Sequence, residues 1–252
     1  MEAAATIPND DRLWAVRVDL ALCYRMVAHY GLTDLIYTHI SARVPGTPDR
    51  FWLNRMGVAF DEMTASDLIE VGTGAAPEVS EAAPVNMAGY TIHSAIHMAR
   101  PDVACALHLH SRASMAVAAL ERGLLPLNQI SMQFYDRLAY HDYEGVALDL
   151  DERERLIASM GDKNAMILRN HGLLTLGDSI PKAFTRAYYL EKACQIQLDA
   201  MATGEKLRQP PPEVCEHAAR QFDSFYEADD AARLNWEADR RAIDRANPGY
   251  EA

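Results

Sequence analysis

Strands interleaved with helices predict an α/β fold for this chain of 252 residues. Three observations support that expectation. Apolar residues recur at helical spacing near both ends, short apolar or alternating runs lie between Gly/Pro turns, and there is neither an internal repeat nor a second core. From Asp10 to Gly31 the spacing predicts a helix. Asp10 or Asp11 can cap it, Leu13, Val16, Leu20, Cys23, Met26 and Val27 share a face, and Gly31 suits the position after a helix end. Thr38–Val44 and Phe51–Asn54 read as strands joined by a Pro/Gly turn, and Asp67–Val71 as a third. An Ala/Pro/Glu-rich loop is expected from Thr73 to Pro84, then a helix from Val85 to Arg100. After the Ala99-Arg-Pro-Asp102 turn comes an apolar strand, Val103 to His110, and a short helix from Arg112 to Gly123. Ala139–Gly145 is strand or loop, Asp151–Met160 helix, and Ala165–Leu176 two apolar stretches broken by Asn-His-Gly. Ile180–Gly204 is a long helix, and Gln209-Pro-Pro-Pro212 breaks the chain before a polar helical tail. The reading is one domain over residues 1–208, with a helical appendage, residues 209–252, packing on the domain or on a neighbouring subunit.

Composition narrows the classes of function. The net charge of −12 comes without a basic cluster, which argues against nucleic acid and against an anionic membrane surface. No apolar run approaches the length of a membrane span, and Met1 to Pro8 lacks the basic and apolar regions of a secretory signal. Cys23, Cys105, Cys194 and Cys215 are scattered with no CxxC spacing, so free thiols in a reducing, cytoplasmic setting are expected.

His108-Leu109-His110 carries the chemistry. Residues i and i+2 of a strand project to one face, so the two imidazoles can converge on one point. A cation requires that arrangement and a packing role does not. His171, between two apolar stretches, offers a third neutral ligand, and three imidazoles plus an open position suit a catalytic divalent ion.

Gly31 to Arg43, Asn54-Arg-Met-Gly57, the Ala-Arg-Pro turn, His108-Leu109-His110 and Asn170-His-Gly172 together resemble the class II aldolase/adducin family. Gly89 to His97, Gly123-Leu-Leu-Pro126, Ala139 to Gly145 and Arg240 to Tyr250 are similar to its adducin-like bacterial branch. The resemblance implies a three-layer α/β/α sandwich around a mostly antiparallel sheet. It also implies a homotetramer with sites at subunit interfaces, and zinc, or else manganese, cobalt or iron, on His108, His110 and His171. It aligns Tyr140 with a tyrosine acid.

The departures from the family pattern bear on substrate. The acid/base glutamate of the sugar-phosphate aldolases falls at Gly89, their phosphate-binding serines near Met87 and Ala88, an asparagine at His39, and a threonine at Met56, while Gly57 remains. Losing several donors together leaves a phosphate undersolvated, so a sugar phosphate is not expected. His93, one helical turn beyond Gly89, can replace the carboxylate as base. His39 and Gly89 border the substrate pocket, and Arg55 beside Gly57 can anchor a substrate carboxylate. His97 reads as structural, and His29 and His217 carry no role.

A centre with a metal and a proton donor but no carboxylate suits decarboxylation best. The expected function is therefore a metal-dependent carbon–carbon lyase on a small non-phosphorylated oxo- or hydroxy-carboxylate, working through a metal-stabilised enolate, with decarboxylation favoured over retro-aldol cleavage. Two alternatives stay open: a non-catalytic adducin-like interaction module, and an Fe(II)-dependent oxygenase on the same scaffold.

Overall fold

The computed structural model describes residues 9–74, 84–228 and 230–252. Its seven strands are β1 (His39–Arg43), β2 (Arg50–Asn54), β3 (Leu68–Gly72), β4 (Cys105–Leu109), β5 (Leu138–His141), β6 (Ala165–Leu168) and β7 (Gly172–Gly177). They form one sheet in the order β3-β2-β1-β4-β7-β6-β5. Every neighbouring pair is antiparallel except β5 with β6. The helices are α1 (Asn9–His29), α2 (Met87–Ala99), α3 (Arg112–Ala118), α4 (Gln129–Met132), α5 (Glu152–Met160), α6 (Ile180–Ala202), α7 (Pro212–Glu227) and α8 (Asp230–Ala246).

The sheet has helices on both sides, and strand alternation decides what each side sees. Cys105, Leu107 and Leu109 of β4, with Ile40 and Ala42 of β1, join the large core built on α1 and α6. Ala106 of β4 faces the other way, into a smaller core with Ile92, Ala95 and Ile96 of α2 and Leu156 and Met160 of α5. His39, Ser41 and His108 share that second face.

The elements agree with the sequence reading apart from details at their ends. Helix α1 stops at His29, with Gly31 at φ +67°. Helix α2 starts at Met87, because Asn86 rather than Val85 caps it. A 3₁₀ turn at Ala65–Asp67 and the four-residue α4 were not expected. The expected loop from Thr73 to Pro84 lies mostly outside the described residues.

The expected domain break falls between α6 and α7. Even so, Trp236, Ile243 and Tyr250 of the tail lie in the same core cluster as α1 and α6. Arg25 of α1, itself buried, donates to the carbonyls of Met63, Asn247 and Pro248 and to the Asn247 side chain. Ala65 N–H and Ser66 N–H donate to the carbonyls of Tyr250 and Ala252, so the tail closes over the loop after β2. All four cysteines are buried free thiols. Among the described residues no helix is long and apolar enough to cross a membrane.

Candidate metal centre

His108 lies near the end of β4 and is fully buried, His110 follows just past the strand, and His171 sits in the turn between β6 and β7. That turn depends on its sequence. Asn170 takes a left-handed conformation at φ +56°, which asparagine tolerates better than most side chains. Gly172 then passes so close to β4 that a Cβ there would collide with the Leu109 carbonyl oxygen.

The three imidazoles converge: His110 Nε2 is 2.9 Å from His108 Nε2 and 2.9 Å from His171 Nε2. Among the described residues they are the one cluster of three side chains with ligand atoms gathered for a metal. The outer partners decide the tautomers. His108 Nδ1 donates to the Leu173 carbonyl at 2.9 Å, and His110 Nδ1 donates to Asp34 Oδ2 at 2.9 Å. In the neutral tautomers that these partners select, both Nε2 atoms present lone pairs to each other across 2.9 Å. A cation between these nitrogens removes that repulsion, so the residues fit a divalent ion. Burial and neighbouring imidazoles hold His108 well below the ordinary histidine range, and burial with His110 lowers His171 to about 4. Neutral imidazoles are the form a metal needs. His110 and His171 are only half-buried, which leaves one side of the cluster toward solvent.

Glu191 of α6 sets the turn after His110. Its buried carboxylate accepts from Ser111 Oγ and from the N–H groups of Ala113 and Ser114. Neither Asp34 nor Glu191 was singled out from sequence. Asp34 lies 76 positions from His110 and Glu191 lies 80 from Ser111, and no local spacing links partners so far apart.

The expected pocket residues divide. His39 pairs with His108 across the strands, and their rings stack at 4.8 Å. A Cβ on Gly89 would lie 2.6 Å from His39 Cδ2. The space left by the missing glutamate is therefore filled by His39. His93, expected as the replacement base, lies behind it: Nε2 contacts His39 Nδ1 at 2.8 Å, and Nδ1 contacts Ser41 Oγ. Ser41 Oγ also meets His97 Nε2 at 2.8 Å, and the His97 ring stacks on Phe51. Both His93 nitrogens are thus engaged inside the protein. Burial keeps His39 and His93 far below the ordinary range and takes His97 to about 3.

Tyr140 is placed on the other side of the sheet from His108, against the α6 core. Its hydroxyl accepts from Leu124 N–H at 3.0 Å, and Arg169 covers its ring at 4.3 Å. The tyrosine in ring contact with His171 is Tyr143, at 6.1 Å. Arg55 is half-exposed and paired with Asp67 at 2.8 Å, beside the exposed Gly57. At the start of α2, Asn86 Oδ1 already accepts from the N–H groups of Ala88 and Gly89. Those helix-end donors are not left for a phosphate.

Comparison with known proteins agrees with this architecture. The family described as Class II Aldolase and Adducin N-terminal domain matches residues 18–198. The crystal structure of an aldolase II superfamily protein from Pseudomonas syringae is 45% identical, with a TM-score of 0.90 over 98% of each chain. The L-fuculose 1-phosphate aldolase of Glaciozyma antarctica is 27% identical, with a TM-score of 0.83 over 98% of this chain and 97% of that one. Alpha-adducin of Mus musculus is 38% identical over 191 residues, 75% of this chain and 26% of adducin. This chain belongs to the class II aldolase and adducin N-terminal domain family.

Proposed function

We propose that the protein is a divalent-metal-dependent carbon–carbon lyase acting on a small, non-phosphorylated oxo- or hydroxy-carboxylate, with decarboxylation favoured over retro-aldol cleavage. The observation that carries this reading is the convergence of three imidazoles, His110 Nε2 lying 2.9 Å from both His108 Nε2 and His171 Nε2. A divalent ion held by these residues, zinc in the first place, supplies an electron sink for negative charge developing on a substrate oxygen. Three neutral ligands cancel none of its charge.

The chain's own residues do the rest. The Leu173 carbonyl and Asp34 accept from the Nδ1 atoms of His108 and His110, which turns their Nε2 atoms toward the centre and holds the rings in place. His39, stacked on His108 and braced by His93, closes the α2 side to water. Arg55, half-exposed and steadied by Asp67, is the anchor for the substrate carboxylate. Tyr143 walls the His171 side. In decarboxylation the bond to the carboxylate breaks, carbon dioxide leaves with no prior removal of a substrate proton, and a proton must return to carbon. The lack of a carboxylate at Gly89 fits that order of events. Met87 and Ala88 bring no hydroxyl, and the Asn86 cap takes two backbone donors, which supports a substrate without phosphate.

Leu35, Tyr37, Met87, Tyr143 and Val146 are exposed apolar side chains, Leu35 next in sequence to Asp34 and Tyr143 in ring contact with His171. They support assembly as a homotetramer that covers them. The four buried thiols suit a reducing cytoplasm.

The test is to load the purified protein with zinc, offer a panel of oxo- and hydroxy-carboxylates, and follow carbon dioxide and aldehyde release. Turnover of an acid is expected. Turnover of L-fuculose 1-phosphate alone would reverse the substrate assignment. The likeness to alpha-adducin favours a second reading, a non-catalytic interaction module. A protein purified without stoichiometric metal and inert across the panel would support that module.

A further inference from the structure

Beyond His171, away from Gly89, another buried histidine, His141, faces carboxylates. His141 ends β5, and only about 5% of it is exposed. Its Nδ1 lies 3.0 Å from Ser159 Oγ, which orients the ring. Its Nε2 has no hydrogen-bond partner and points between Glu152 Oε1 at 3.5 Å and Glu144 Oε1 at 3.9 Å. Glu144 is committed to Arg155, which grips both of its oxygens. Glu152, in the first turn of α5, is largely buried, with His141 as its ion-pair partner. Ile92, His141, Tyr143, Glu144, Glu152 and His171 line one narrow cleft. Its free space is about 10 Å³, roughly enough for one water.

We propose that Glu152 and His141 are the proton-donating pair of this centre, an inference that rests on the lyase reading above. Neither donor expected from the sequence is free for the proton that must return to carbon, because Tyr140 is across the sheet and His93 is enclosed. The contact of 3.5 Å is loose, as catalytic hydrogen bonds often are before substrate binds. Burial lifts the Glu152 carboxyl above its ordinary range, with His141 opposing and Glu144 adding to the lift, which favours the protonated acid. The bookkeeping of the step closes. The bond from carbon to carboxylate breaks, carbon dioxide departs, and the electron pair remains in the carbon–oxygen framework. The Glu152 proton, passed through one water, forms the new C–H bond, and His141 returns a proton to Glu152 from solvent.

The reverse of that step is proton removal beside a carbonyl, so pyruvate in D₂O is the probe. Zinc-loaded wild type should wash deuterium into the methyl group, read by proton NMR. E152Q and H141Q should slow exchange roughly tenfold or more at unchanged zinc content. E154Q, on the exposed side of α5, should match wild type. Exchange within about twofold of wild type in both variants would overturn the proposal. A second readout needs no turnover: zinc added to the metal-free protein should lower the Glu152 carboxyl midpoint, followed by carbon-13 NMR, by roughly half a pH unit or more. Zinc bound one-to-one with that midpoint unmoved refutes the pair. Wild type that binds zinc and shifts Glu152, yet exchanges nothing, keeps the pair and fails the lyase reading.

Discussion

Acidifying the metal-free protein from pH 7.5 to 5.5 should remove about 6 kcal/mol of its stability through four fully buried histidines alone. His39, His93, His97 and His108 are fully buried, and burial is the largest reason each resists protonation in the fold. In the unfolded chain each takes a proton near pH 6.5. Because the folded pKa is the lower one, the unfolded state binds more protons below pH 6.5. Stability is therefore lost as pH falls through that value, and for His97 the loss continues to about pH 3. At pH 5.5 each group contributes about 1.4 kcal/mol of this loss. Four together approach the whole stability of many domains, about 5–15 kcal/mol. Carboxylates held low by arginines, such as Asp102 beside Arg100, weaken the fold only at more acid pH and stay out of this window. Urea titrations in chelator at pH 7.5, 6.5 and 5.5, followed by tryptophan fluorescence, measure the effect. H97Q, which keeps a polar partner for Ser41 but cannot take the proton, should flatten the profile by about 1.4 kcal/mol. A total loss under about 2 kcal/mol would mean that these imidazoles protonate inside the fold, and would refute the closed network described for His39, His93 and His97.

D34A removes the carboxylate that holds His110, and zinc affinity should fall about 10- to 100-fold in a chelator competition, with the fold intact. Affinity within twofold of wild type would show that Asp34 does not set the tautomer. G89A places a Cβ 2.6 Å from His39. It should cost about 1–2 kcal/mol, crowding outweighing the gain of alanine in a helix. In an H39A background the same change should become neutral or stabilising, and a cost that persists there would mean His39 is not the obstacle. Y250A empties a site that is 1% exposed and frees Arg240 and Asp244 from the phenol. A loss of about 3–5 kcal/mol is expected by thermal denaturation, and a loss under about 1 kcal/mol would show that the tail is not part of the core.

Much of the centre was legible in the chain itself. His108 and His110 were readable because strand geometry places i and i+2 on one face, and that requirement is local. His171 was readable because a histidine between two apolar stretches, flanked by Asn and Gly, marks a turn between two strands. The helices α1 and α6 followed from apolar residues at helical spacing, which needs no knowledge of partners.

Other features depended on which distant segments meet. His93 was expected in the vacancy over Gly89 because it shares a helix face with that position. The pairing of β1 with β4 instead brings His39 into the space first and puts His93 behind it. Tyr140 and Tyr143 differ by three residues, yet one packs toward α6 and the other beside His171. The register and end of β5 decide that, and sequence alone left this segment as strand or loop. Asp34, Glu191 and the Glu152–His141 pair were invisible for the same reason, since each joins residues of different elements. The sequence by itself determined the histidine ligand set and the α/β class, because periodicity and residue type are local properties, while the layered arrangement came from the family resemblance. Which side chain faces which, and so where a proton is held, was decided only by tertiary structure, because strand pairing and packing are set by the whole chain.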